Sequence, residues 1–123
     1  MTYVTSLLAR QRAGYPRVHR DRVNLAVHAI TAPVFVAGTA LVVAAIPLAA
    51  TGRPGAALEA GLGGLAGALV AVAAQGWGHR REAERPEPFA HAGELALRLV
   101  LEQWITFPRF ALSRLRAGRA PRP

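Results

Sequence analysis

The sequence contains no cysteine and no lysine, and long stretches of it carry no charge. The absence of cysteine excludes a disulfide framework, a zinc knuckle, a thiolate nucleophile and Cys-ligated iron–sulfur or haem sites. Any metal must therefore be held by histidine, carboxylate or amide groups. All 15 basic residues are arginine, which is typical of a GC-rich genome, so the choice of arginine over lysine carries little meaning by itself.

Charged residues are missing from two long runs of this 123-residue chain, whose length is that of a single domain. One run covers residues 23–52, between Arg22 and Arg53, and the other covers residues 60–79. Two such runs argue against a soluble domain. A signal peptide is also disfavoured, because the first run is too long for one and a second run follows it. We therefore expect one membrane-embedded helical domain over residues 1–123.

The formal net charge of the chain is +8. Such an excess of basic residues predicts an anionic partner, either nucleic acid or a membrane surface. With 52% hydrophobic residues and a mean hydropathy of +0.23, the chain is too apolar for an ordinary nucleic-acid-binding domain. We therefore expect membrane lipids, and no nucleic acid, among the partners.

The two apolar runs predict two long helices. The first extends from about Val23 to Ala50, with Asp21 as its N-cap. Its core, residues 29–50, is roughly 33 Å long at ~1.5 Å per residue, which is enough to cross a bilayer. Residues 51–55 read as a short turn, so the second helix, from about Ala56 to Trp77, must run antiparallel to the first. Glycines in its first half favour close helix packing or a homodimer, although genomic Ala and Gly bias also explains them.

A third helix is predicted from about Gly93 to Phe107, ended by Pro108. Glu94, Arg98 and Glu102 recur every four residues and are expected to form a solvated charged face. With about 15 residues and three charges, this helix should lie in the membrane interface or be re-entrant rather than span. The arginine-rich tail, from residue 109, is expected to be surface-bound or, from about residue 111 to 123, disordered. The predicted fold class is thus all-α, an integral membrane helical hairpin with a third helix.

The distribution of arginine predicts the topology. Five arginines precede the first span, one lies in the turn and nine follow the second span. By the positive-inside rule both termini are cytoplasmic. We expect an integral protein of the bacterial inner membrane with this orientation.

Three histidines are predicted to meet at the cytoplasmic end of the hairpin. His28 lies 25 residues before Arg53 (53 − 28), and His79 lies 26 residues after it (79 − 53). Equal distances from the turn mean equal depth in an antiparallel pair, and His19 precedes the first helix by about one turn. Polar groups gathered at such a position predict a functional site. The fourth histidine, His91, lies in a polar segment and is expected at the surface.

Amide and carboxylate residues accompany these histidines. Asn24 shares a helix face with His28, while Gln75 and Glu82 lie on either side of His79 in the sequence. Imidazoles with a nearby carboxylate suit a divalent transition metal, and iron, zinc and manganese all remain open. The plainer alternative is that these groups hydrogen-bond lipid headgroups or backbone.

The order of residues around the first two histidines resembles a known signature. Tyr15, His19, Asn24, His28 and Pro33 follow one another at the spacing of the first motif of the Mpo1-like (DUF962) family. The second motif of that family, Gln-x-x-Gly-His with a downstream Glu and Pro, is similar to residues 75–86. The two motifs lie on either side of a hydrophobic hairpin, and the resemblance covers about residues 15–110.

Members of that family are small integral membrane proteins. A yeast member in the endoplasmic reticulum is an Fe(II)-dependent dioxygenase that shortens a 2-hydroxy fatty acid by one carbon (α-oxidation) during phytosphingosine breakdown. The resemblance implies the same activity here, with dioxygen and a 2-hydroxy fatty acid or related lipid as substrates. It implies Fe(2+) ligation by His19, His28 and His79. The resemblance also implies a catalytic or ligand-supporting role for Asn24, Gln75 and Glu82. From their positions, Arg22 and Arg80 are expected to bind the substrate carboxylate.

A second interpretation of the same sequence is a non-catalytic membrane protein that binds anionic lipid or scaffolds a membrane complex. Under that interpretation the arginines anchor the chain at the cytoplasmic surface, and the histidines have no chemical role. The histidine set is therefore the feature that distinguishes the two.

Overall fold

A computed structural model describes residues 2–118, which fold into five α-helices without any strand in this range. The helices are α1 (Tyr3–Gly14), α2 (Arg22–Ala50), α3 (Pro54–His79), α4 (Ala92–Leu101) and α5 (Phe107–Gly118). A 3₁₀ turn, Tyr15–Arg17, follows α1, and a π-helical turn, Glu102–Thr106, connects α4 directly to α5. The predicted all-α class is confirmed.

Helices α2 and α3 are the two long apolar helices expected from the charge-free runs. Their most apolar windows have mean hydropathies of 2.2 and 1.7, so both are long and apolar enough to cross a membrane. Helix α2 begins where predicted because the Asp21 carboxylate accepts a hydrogen bond from the backbone N–H of Asn24, at 2.9 Å. The helix continues through Pro33 and Pro47 without interruption.

Glycine permits a close antiparallel contact between α2 and α3. A Cβ at Gly38 would lie 2.5 Å from the Gly64 carbonyl oxygen, and a Cβ at Gly64 would collide with the Gly38 carbonyl in return. Only residues without a side chain fit there. Nothing lies within 4 Å of a Cβ added at Gly63, so that glycine has no packing role in the described part of the chain.

The remaining elements pack against one end of this helix pair. Tyr15, Ala32 and Phe107 form one small buried cluster, joined by the partly buried Phe110 and Ala111. A second cluster, of Phe35, Ala68 and Ala71 with Val72 and Leu99, holds α4 against the pair. Helices α1, α4 and α5 therefore enclose the end of the pair where His28 and His79 lie.

The prediction that the third helix ends at Pro108 is wrong. Proline breaks helices because it lacks an N–H and its ring meets the carbonyl four residues earlier. Here the wider π turn precedes Pro108, with the N–H of Phe107 bonded to the carbonyl of Glu102, and the chain continues as α5 to Gly118. Residues 111–118 of the tail expected to be disordered are therefore helical, and residues 119–123 lie outside the described residues.

Candidate metal centre

Four side chains from four different segments converge at the enclosed end of the helix pair. His19 lies between the 3₁₀ turn and α2, His28 lies in α2, His79 ends α3, and Glu102 begins the π turn. One potential ligand atom from each lies within 4.8 Å of the others, so the group could hold a metal ion. Two ligand atoms bound to the same ion lie up to about 4 Å apart. The separations in this cluster are therefore only slightly larger than those of a bound site.

The hydrogen bonds of two histidines determine which ring nitrogens face the centre. Nδ1 of His19 lies 3.0 Å from the Tyr15 carbonyl, and Nδ1 of His28 lies 3.0 Å from the Asn24 carbonyl. A carbonyl only accepts hydrogen bonds, so each Nδ1 carries a proton and Nε2 is the ring nitrogen that faces the centre. This pattern, with a backbone carbonyl behind the imidazole, is the one that metal-binding histidines use.

The two Nε2 atoms face each other at 3.3 Å, in a space where His19 is 1% and His28 is 0% exposed. Burial, followed by the neighbouring His28, lowers the pKa of His19 to about 4, so His19 is neutral at physiological pH and supplies no proton to this contact. A metal cation between the two nitrogens could be bound by both.

His79 completes the imidazole set. Its ring centroid lies 4.8 Å from that of His19 and 5.0 Å from that of His28. Its Nδ1 is buried without a hydrogen bond of ordinary geometry among the described residues, and the ring also interacts with the Val18 backbone. One of its ring nitrogens is available to a metal ion.

Glu102 brings the only carboxylate into the cluster. Its Oε1 lies 3.6 Å from Nε2 of His28 and 3.8 Å from Nε2 of His19. Burial by itself would raise the pKa of this carboxyl, but the adjacent His28 and the other two histidines outweigh burial, so the pKa lies below its ordinary value. The carboxylate therefore adds negative charge beside three imidazoles, which is a donor set suited to a divalent transition metal.

Tyr15 supports this arrangement from behind. Its hydroxyl donates a hydrogen bond to Oε1 of Glu102 at 3.2 Å, and its ring stacks on that of His19 with centroids 3.7 Å apart. Burial and the nearby Glu102 raise the pKa of Tyr15, so the phenol stays protonated and acts as a donor. Tyr15 thus orients His19 through its own backbone carbonyl and its ring, and it orients Glu102 through its hydroxyl.

The expectation of a solvated charged face on the third helix is wrong. Glu94 is 8% exposed and lies 3.6 Å from Arg98, while the side chain of Glu102 is 16% exposed and faces the histidines. One sequence signal could have revealed this. Leu97 and Leu101 follow Glu94 by three and seven residues, so the acidic positions share their helix face with apolar ones. His91, by contrast, is exposed as predicted.

Glu82 and Asn24 lie beside the cluster and hold its walls together. The Glu82 carboxylate accepts hydrogen bonds from the backbone N–H groups of Arg20 and Asp21, both at 3.1 Å, and from the Asn24 amide at 2.7 Å. Burial opposes the charge of Glu82, but these donors outweigh it and lower its pKa. Glu82 is therefore a clamp between the end of α3 and the segment that carries His19.

Asn24 contributes to the same clamp and explains a glycine. It is 0% exposed and also donates to the Val18 carbonyl at 3.2 Å. A Cβ at Gly78 would lie 2.5 Å from the Asn24 amide oxygen. The residue before His79 must therefore be glycine for the Asn24 amide to occupy this position.

Gln75 bonds a residue that sequence reasoning missed. Its amide and that of Gln103 donate hydrogen bonds to each other, and Gln75 also donates to Thr31 at 2.9 Å. Both glutamines are buried. The pair connects α3 to the π turn, one residue from Glu102 and four residues from His79.

A groove opens beside the cluster, between the end of α3 and α4. Its volume is about 610 Å³. His79 and Glu102 line its inner wall together with Gln75; the other lining residues are Val72, Gly76, Arg80, Arg85, Pro86, Glu87, Pro88, Phe89, Leu95, Arg98 and Leu99. The groove therefore has apolar walls and several cationic groups next to the candidate metal ligands.

The two arginines expected to bind substrate lie in different places. Arg80 is exposed and lines the groove. Arg22 is exposed at the first turn of α2 and does not line it. Arg85, which sequence reasoning did not single out, joins Arg80 at the groove, and it also lines a smaller cavity of about 90 Å³ whose lining includes His19, His79 and Glu102.

Comparison with protein-family models, with curated proteins and with solved structures gives no match to this chain. The similarity to the Mpo1-like family rests on the motif residues alone and stays a prediction.

Proposed function

We propose that α2 and α3 cross the bacterial inner membrane as a hairpin, with both termini and the histidine cluster on the cytoplasmic side. In support, only 17% and 22% of their most apolar windows are buried within the protein. Large apolar side chains such as Ile30, Ile46 and Val70 are 67–70% exposed. The core helices of a soluble protein bury such residues, whereas lipid would cover them here.

We further propose that the protein is an Fe(II)-dependent dioxygenase of 2-hydroxy fatty acids, which shortens the acyl chain by one carbon. The observation that carries this proposal is the convergence of three imidazoles and one carboxylate beside a groove with apolar walls and arginines. The balanced reaction consumes one dioxygen and yields the shorter fatty acid, carbon dioxide and water. Iron held by His19, His28, His79 and Glu102 would supply the activation of dioxygen.

The residues of the groove would bind and orient the substrate. Arg80 and Arg85 offer guanidinium groups to the substrate carboxylate, which suits the planar geometry of both groups. The acyl chain would lie against Val72, Leu99 and Phe89, which are apolar residues of the same groove. This position keeps the charged carboxylate at headgroup level, where it is not transferred into hydrocarbon.

The surrounding side chains would keep the reacting end of the substrate in place and exclude water. Tyr15 remains a proton donor to the carboxylate of Glu102. The Glu82 and Gln75 networks hold the segments that carry His19, His79 and Glu102 at fixed separations. Rigid positioning of this kind lowers the barrier of a reaction by holding the reactants in one geometry.

A non-catalytic lipid-binding or scaffolding protein remains the rival proposal. Such a protein has no need for three imidazoles around one carboxylate, because anionic lipid is bound by exposed arginines. The cluster therefore favours the enzyme. A homodimer through α3 stays a prediction.

The experiment that tests the enzyme compares His28→Ala with His91→Asn in detergent-purified protein. We expect about one iron per chain, and oxygen uptake with a 2-hydroxy fatty acid, in the wild type and in His91→Asn, because His91 is exposed and outside the cluster, and asparagine can replace it as the N-cap of α4. His28→Ala should lose both the bound iron and the oxygen uptake. Before purification, this variant should still sediment with the membrane fraction. If the wild type binds no metal after anaerobic loading with Fe(II), the enzyme proposal fails. Zinc or manganese bound at the same residues would retain the site and contradict the iron assignment.

A further inference from the structure

A third cavity lies between the end of α1 and the start of α5, outside the histidine cluster. Its volume is about 250 Å³. Two of its six lining residues, Arg12 and Arg109, are arginines and none is acidic; the others are Tyr15, Thr106, Phe110 and Ser113. Within residues 2–118, neither arginine forms an ion pair or a side-chain hydrogen bond, although Arg17, Arg81 and Arg98 do.

Both arginines are exposed, and two guanidinium groups at one cavity attract an anion more strongly than one does. Guanidinium binds phosphate and carboxylate in a planar, bidentate manner, and arginine predominates where phosphate is recognised. The hydroxyls of the cavity already donate elsewhere, that of Ser113 to the Phe110 carbonyl at 2.7 Å and that of Thr106 to Gln11 at 3.3 Å. The cavity therefore offers mainly positive charge.

Helix α5 extends from this cavity with apolar residues that have no cover. Leu112 is 47% and Leu115 is 62% exposed, while Phe110 packs against Tyr15 and carries Arg114 over its ring at 5.2 Å. A short helix with exposed leucines between arginines is typical of a helix that lies in the headgroup layer. A soluble phosphate would account for the arginines but leaves the leucines exposed to water.

We propose that Arg12 and Arg109 bind the phosphate headgroup of an anionic phospholipid, with Leu112 and Leu115 against its acyl chains. A headgroup with a net negative charge complements the two arginines of the cavity, and the attached acyl chains cover the leucines. This site anchors α1 and α5, and with them Tyr15, to the cytoplasmic leaflet. The proposal rests on the membrane placement given above and is independent of the iron chemistry.

The test uses the full-length protein in a non-ionic detergent, titrated with phosphatidylglycerol or phosphatidylcholine and followed by native mass spectrometry. We expect the wild type to bind phosphatidylglycerol about tenfold more tightly than phosphatidylcholine. Arg12→Gln/Arg109→Gln should abolish this preference. The matched control, Arg53→Gln/Arg116→Gln, removes the same charge outside the cavity and should retain it. Leu112→Ser/Leu115→Ser, which changes only exposed side chains, should weaken binding of phosphatidylglycerol.

Three outcomes would overturn the proposal. Equal losses in the two arginine pairs would mean diffuse charge attraction, and an unchanged preference in Arg12→Gln/Arg109→Gln would exclude the cavity. Millimolar inorganic phosphate that binds the lipid-free protein and displaces phosphatidylglycerol completely would assign the cavity to a soluble anion. Helix content by circular dichroism and iron loading are measured on each variant. Loss of the lipid preference with iron loading intact separates this site from the histidine cluster.

Discussion

Gln75 and Gln103 donate hydrogen bonds to each other, at 3.0 Å and 2.7 Å, in the buried space between α3 and the π turn. The first glutamine lies one helical turn before His79, and the second is the neighbour of Glu102. This amide pair is the most direct polar connection between the helix that carries a candidate histidine ligand and the turn that carries the candidate carboxylate. It holds His79 and Glu102, two candidate metal ligands, at a fixed separation.

Breaking the amide pair should weaken metal binding more than it unfolds the protein. Gln103→Leu keeps most of the side-chain volume but leaves the amide of Gln75 partly unpaired. We expect Fe(II) affinity, measured by competition with a chelator, to fall about 10- to 100-fold, as for other supporting contacts of metal ligands. The double variant Gln75→Leu/Gln103→Leu should lose little more Fe(II) affinity than either single variant, because each single substitution already removes the same contact. Additive losses would show that the two amides act separately.

Glu102→Gln tests the carboxylate that sequence reasoning assigned to solvent. The substitution keeps the shape of the side chain and removes its charge next to three imidazoles. We expect Fe(II) affinity to fall by more than about tenfold, since supporting contacts alone have effects of that size. The control is Glu59→Gln, which removes an acid from the opposite end of α3. Equal affinities in the two variants would remove Glu102 from the centre.

Gly78→Ala should destabilise the protein, because its Cβ would lie 2.5 Å from the Asn24 amide oxygen. Displacing that amide disturbs the Glu82 clamp, and overpacking of this kind costs roughly 1–3 kcal/mol. Gly63→Ala is the matched control in the same helix, since nothing lies within 4 Å of its new Cβ. It should leave stability unchanged or raise it by up to about 1 kcal/mol. Thermal unfolding in detergent, followed by circular dichroism, measures both.

Arg80→Gln/Arg85→Gln should raise the KM for a 2-hydroxy fatty acid about tenfold while iron content stays at the wild-type level. The physical reason is the loss of charge-assisted hydrogen bonds to the substrate carboxylate, and a tenfold change in affinity corresponds to about 1.4 kcal/mol. Arg22→Gln serves as the comparison, because Arg22 lies outside the groove. A larger effect of Arg22→Gln on KM would restore the role that the sequence suggested for it and remove the groove as the substrate site.

Sequence patterns were sufficient for the long elements. The charge-free runs predicted α2 and α3 to within about two residues at each end, and Asp21 as the N-cap of α2, because helix length and capping depend on local composition. The equal distances of His28 and His79 from Arg53 predicted their proximity, because an antiparallel pair with a short turn has only one register. The structure brings both residues together with His19.

Tertiary structure alone decided what depends on contacts between distant residues. The position of Glu102 among the histidines depends on the packing of α4 against α3 and on the π turn before Pro108, and no repeat in the sequence encodes that turn. Glu82 was identified by its motif, but its role as an acceptor for Arg20, Asp21 and Asn24 is visible only when the end of α3 meets the start of α2. Local periodicity determined the helices of this protein, whereas the identity of the fourth donor and of the residues that brace the centre followed from side chains that meet across 28 to 87 residues of sequence.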